Sequence, residues 1–149
     1  MDVDDLLGSG HARLDAVPRP GRMSSETITG FGLPPLATAL VLLWHDHLDA
    51  AHVLVQAAEG DPDADLIHAW LHRREGDAAN SRYWLRVSGK HPFSGSDPDG
   101  FVAEVARAVA AGRGDDAELT KRQRSEFRAL LANLLKAGEA APFPSPPSR

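Results

Sequence analysis

His45, Asp49, His52 and Gln56 recur at intervals of four, three and four residues, a spacing that lines side chains along one side of an α-helix. His68, His72 and Glu75 follow at four and three. Each run sets a carboxylate and an imidazole three residues apart, Asp49 with His52 and His72 with Glu75. Helical bundles use such pairs to hold metal ions between facing helices. Imidazole nitrogen with carboxylate oxygen suits zinc, iron or manganese. An ion held there with one position open would activate water for hydrolysis or, as iron, support oxygen chemistry. The candidate metal ligands are therefore His45, Asp49, His52, His68, His72 and Glu75.

Geometry sets the condition. If the two helices run antiparallel about the loop near residues 59–62, His52 stands level with His68, and Asp49 and His45 stand level with His72 and Glu75. Against this, each polar stripe lies roughly opposite the most apolar side of its own helix. A solvent-facing side reads the same way.

Arg73, Arg74, Arg82, Arg86 and Lys90 crowd one hairpin, with only Glu75 and Asp77 to oppose them. Guanidinium forks suit carboxylate or phosphate ligands, and Trp70, Tyr83 and Trp84 could stack on one, although aromatic residues at helical spacing are more often core. Arg73, Arg74, Arg82, Arg86 and Tyr83 are thus candidate ligand-binding residues, with internal ion pairing as the competing reading. The cluster lacks the extended basic face of a nucleic-acid binder. There is no P-loop, no G-x-G-x-x-G, no G-x-S-x-G and no H-E-x-x-H.

The elements that must position these groups read as helices. Apolar periodicity predicts helices over about 36–58, 63–75, 78–88, 98–111 and 118–137. Asp61 or Asp63, Asp77, Ser96 or Asp97, and Thr120 in a T-x-x-Q capping box stand at their starts, and Gly138 at the end of the last. The expected fold is all-α, about five helices in antiparallel hairpins. Leu40, Leu43, Trp44, Leu48, Trp70, Trp84, Phe101, Phe127 and Leu131 are its expected core, with Tyr83 and Val87 as core candidates of the third helix. Residues 1–34 are expected to be weakly structured, 35–138 to form one helical domain, and 139–149, rich in proline, to be disordered.

Two resemblances rest on quoted residues. The run HAWLHRREGDAANSRYWLRVSGKHP (His68–Pro92) resembles a signature of an uncharacterised bacterial and fungal family, H-R-R-E-x-D-x-x-N-x-x-Y-W, here His72–Trp84. A W-x-x-x-L-D-x-x-H-x-x-x-Q segment like Trp44–Gln56 precedes it in that family. The likeness covers roughly residues 40 to 95 and implies no particular reaction. EGDAANSRYWLRV is also loosely similar to a tetratricopeptide-type helix pair, with Ser81 where that family has a small alanine and His72 where it has an aromatic.

The chain has 149 residues and a formal charge of -5, which gives no general attraction to nucleic acid or anionic membranes. It has no cysteine, so no thiolate can act as nucleophile or ligand. Its longest apolar run, Leu36–Trp44, is too short to span a bilayer, and the acidic N-terminus does not read as a secretory signal. A cytoplasmic protein is expected. The first functional expectation is a non-catalytic protein that binds a peptide, protein partner or small anionic ligand through a His/Arg/aromatic surface. The alternatives are a metal-dependent enzyme using the two stripes, with a divalent ion as cofactor, and a structural module of a homo-oligomer.

Overall fold

The computed structural model describes residues 1–140, which form eight helices and no β-strand. These are α1 (Val3–Leu7), α2 (Ser25–Gly30), α3 (Pro35–Trp44), α4 (Leu48–Ala57), α5 (Pro62–Arg74), α6 (Ala78–Val87), α7 (Pro98–Ala110) and α8 (Ala117–Ala140). The all-α expectation holds, with more helices than the five expected. No helix among the described residues is long and apolar enough to cross a membrane.

Acidic caps start most of the long helices. Asp61 accepts from the Asp63 amide at 2.8 Å, Asp77 from Asn80 at 3.1 Å, and Asp97 from Gly100 at 3.1 Å. Pro62 and Pro98 follow their caps, where a missing N–H leaves nothing unpaired. The start of α8 departs from expectation. Asp116 is the cap, accepting from Leu119 at 2.9 Å, while Thr120 donates its hydroxyl back to the Asp116 carbonyl at 2.8 Å. A carboxylate gains from the helix dipole as well as from the hydrogen bond, which favours Asp116 over Thr120. Gly138 does not end α8. A Cβ there would come within 2.7 Å of the Pro34 ring, so glycine serves close approach. The expected disordered tail thus loses its first two residues to α8, and 141–149 lie outside the described residues.

The helix expected over 36–58 is in fact two. The His47 amide bonds to the Leu42 carbonyl at 2.9 Å and Asp46 to Leu43 at 3.1 Å, with Asp46 at φ 69°. This is a Schellman ending with aspartate in the left-handed position that glycine usually takes. Distant contacts hold it there. Asp46 forms a fully buried pair with Arg74 at 2.6 Å, and its other oxygen accepts from the Arg19 amide at 3.0 Å. Arg74 also donates to the carbonyls of Leu43, Arg13 and Asp15.

Arg13 and Asp15 belong to a segment that is not weakly structured. Residues 1–34 form α1 and α2 and bury Leu6, Leu7, Leu14 and Ile28 completely or nearly so. Trp44 donates to the Leu7 carbonyl at 2.7 Å, and Gln123 bonds to the carbonyls of Ala12 and Arg13 at 3.2 Å. The N-terminal chain is part of the domain.

At the centre, α3 is buried on every side, packed against α1, α2, α4, α5 and α8. Leu40, Leu43, Trp44, Trp70, Phe127 and Leu131 lie in this main core, where the Phe127 ring stands 5.3 Å from Trp44 and 5.1 Å from Trp70. Leu48 and Trp84 pack at its edge, half-buried. Phe101 belongs to a second cluster with Leu14, Val105 and Ala108. Tyr83 and Val87 are exposed, contrary to expectation. α6 instead turns Ser81 and Leu85 inward, and the Ser81 hydroxyl donates to the Ala69 carbonyl at 2.7 Å, so a small side chain sits at the α5–α6 contact.

Candidate metal centre

α5 is packed between α4 and α6, and this decides the fate of its histidines. Of its stripe, His68 is closed off between α4 and Trp84 of α6, His72 is half-buried and Glu75 reaches solvent. His52 Nε2 lies 3.0 Å from His68 Nε2. His52, His68 and His72 each offer a ring nitrogen, and the three nitrogens lie within 4.8 Å of one another. His68, only 2% exposed, is stacked between Trp84 at 4.0 Å and His72 at 4.8 Å, while His52 meets both histidines edge-on. These stacks fix the ring planes without consuming a nitrogen lone pair.

The surroundings keep His68 neutral. His68 has its pKa drawn down to about 4, first by burial and then by His72 and His52 beside it. Its Nδ1 is buried without a hydrogen-bond partner. His72 Nδ1 approaches Glu75 Oε1 at 2.8 Å, off the line of a proper hydrogen bond. At neutral pH His68 therefore presents an uncharged imidazole, the form that ligates metals.

A pH dependence follows. Because the folded-state pKa of His68 lies below its ordinary value, the unfolded chain takes up a proton that the native protein refuses. Stability is then complete above about pH 6.5 and declines as pH falls toward 4. The expected loss over that window is about 1–3 kcal/mol. Urea denaturation in a chelator should show it in the wild type and much less in His68→Gln. Identical slopes in the two proteins would contradict this assignment.

The other expected ligands lie elsewhere. His45, at the end of α3, accepts from the Met23 amide at 3.1 Å through Nδ1 and donates from Nε2 to the Leu6 carbonyl at 2.8 Å. The break after α3 rotates it out of the stripe. Asp49 is exposed and shares a shallow hollow with Glu75, outside the histidine group. Glu75 stands behind His72, where it can orient that ring.

The arginines divide. Arg73 makes a paired contact with Glu126 at 2.7 and 3.1 Å and donates to Gln123 at 3.2 Å. Arg74 is spent on Asp46 and three carbonyls. Both are internal ion-pair residues. Arg82, half-buried, and Arg86, exposed, make no ion pair among the described residues. Tyr83 stays at the surface and meets Trp84 edge-on at 5.2 Å.

Trp84, an expected core residue, packs at the core's edge and also stacks on His68. Aromatic residues at helical spacing read as core, and nothing local distinguishes one that stacks on an imidazole. No protein-family model, curated protein or solved structure matches this chain.

Proposed function

We propose that the protein binds one divalent transition-metal ion, with zinc the best match, through His52, His68 and His72. The observation that carries this reading is the separation of His52 Nε2 and His68 Nε2, 3.0 Å. Two imidazole nitrogens on one tetrahedral zinc, each about 2.0–2.1 Å from the ion, stand about 3.3 Å apart. The third nitrogen is within side-chain adjustment of the same point. Three imidazole nitrogen donors disfavour calcium and magnesium, which take oxygen. Glu75 behind His72 supplies the carboxylate that commonly sets a ligating ring's tautomer. With three protein ligands, a bound zinc ion would keep a position for water and supply Lewis-acid chemistry there.

The reading of a partner-binding surface loses Arg73 and Arg74 to internal pairs. Tyr83 and Val87, exposed and one turn apart on α6, keep a partner surface as the second reading.

Calorimetric titration of the chelator-treated protein with Zn²⁺ tests the proposal. One ion per chain, bound at about micromolar affinity or tighter, is expected. Absence of saturable uptake would sink it. In the same experiment Glu75→Gln should weaken binding about 10-fold. Unchanged affinity would remove Glu75 from the site while leaving the three ligands in question untouched.

A further inference from the structure

The junction of α3 and α4, residues 44–47, holds the N-terminal segment with each of its four residues. Trp44 donates to the Leu7 carbonyl, and its own carbonyl accepts from the Arg19 guanidinium at 3.1 Å. Asp46 accepts from the Arg19 amide. His45 and His47 take the two sides of Met23: His45 Nδ1 accepts from its amide at 3.1 Å, and His47 Nε2 donates to its carbonyl at 2.7 Å. The other nitrogen of His45 donates to the Leu6 carbonyl at 2.8 Å, and the residue is 3% exposed. A proton affects the two histidines differently, because an imidazolium donates from both nitrogens. The His47 bond to a carbonyl survives in either charge state. His45, which accepts at Nδ1, would set N–H against the Met23 N–H. The charged or titratable groups acting on His45 are Arg19, Asp46, itself paired with Arg74 of α5, and His47, while α1 faces it with the Leu6 carbonyl. Burial is the largest influence and draws its pKa below the ordinary histidine value.

We propose that residues 44–47 form a clasp opened by acid: protonation of His45 expels the Met23 amide and releases Met23 and α2 from α3, while α3–α8 stay folded. Ile28, Met23, Phe31 and Leu33, which pack on the main core, leave with the segment, so the open form bares apolar surface. The closed form holds His45 neutral, so opening takes up a proton. The clasp is therefore complete above about pH 6.5 and weakens as pH falls. It is separate from the group of His52, His68 and His72 and does not depend on metal.

Amide hydrogen exchange, corrected for its intrinsic pH dependence, tests this on the full chain carrying His68→Gln, which removes the acid sensitivity assigned to His68. Between about pH 7.5 and about pH 5 the opening constants at Arg19, Met23 and Ile28 should rise roughly tenfold, with amides of α5 and α8 steady within about twofold. Adding His45→Gln, which takes no charge, should abolish the rise. Should that protein not fold, the His45 ring nitrogen shifts of the His68→Gln chain decide, since they should titrate with the same midpoint as the opening. No rise at those amides, an equal rise in α5 and α8, a rise kept in His45→Gln, or opening while the His45 ring stays neutral would each overturn the clasp.

Discussion

Arg74→Met is expected to destabilise the protein by about 3–5 kcal/mol, the loss typical when one member of a buried ion pair is removed. For a chain of this size that corresponds to a fall of roughly 10 °C in melting temperature. The cause is what remains behind: the buried Asp46 carboxyl, at left-handed φ, would be left with the Arg19 amide and, at 4.0 Å, the Arg19 guanidinium in place of the closer Arg74. The carbonyls of Leu43, Arg13 and Asp15 would lose their donor as well. Thermal melts of Arg74→Met, Asp46→Gly and the double variant separate the contributions. Glycine suits the backbone at 46, so the double variant should recover part of the loss. Equal, additive losses would show that the pair is not coupled. Hydrogen exchange should rise first in residues 13–19, which Arg74 ties to the α3–α4 turn.

His68→Ala should lower zinc affinity by at least about 100-fold. It removes the ligand held most rigidly, the ring stacked between Trp84 and His72, and the half of the His52–His68 contact that brings α4 to α5. His52→Ala should cost nearly as much, since either change leaves two imidazoles. Circular dichroism would check that the fold persists, and His47→Ala serves as control. His47 binds the Met23 carbonyl at 2.7 Å, away from the cluster, and its loss should leave zinc binding within about twofold. A His68→Ala protein that binds zinc as the wild type does would place any metal elsewhere.

Local chemistry made part of this legible. Asp77 and Asp97 cap the helices where a short acidic side chain precedes a helical pattern, because a cap is decided within three residues. The level pairing of His52 with His68 followed from a short loop between two helices. The remainder depends on contacts far apart in the chain. Nothing in LWHDHLDAAH marks a helix end, since the aspartate at its turn is held by an arginine 28 residues on. Arg73 read as a ligand-binding cation because its partner, Glu126, is 53 residues away. The N-terminal segment read as weakly structured because Leu6, Leu7, Leu14 and Ile28 are scattered among turn formers, and only the assembled surface of α3, α7 and α8 gives them somewhere to go. The second histidine stripe read equally as solvent-facing because the neighbour that covers His68, α6, follows later in the chain.

X-ray absorption at the zinc edge, on protein loaded with one equivalent of Zn²⁺, tests the three-histidine centre most directly. Three nitrogen scatterers at about 2.0–2.1 Å, with the multiple scattering of imidazole rings, are expected in the wild type and should vanish in the His52→Ala/His68→Ala/His72→Ala variant. A shell of oxygen alone, or a spectrum that the triple substitution leaves unchanged, would contradict it.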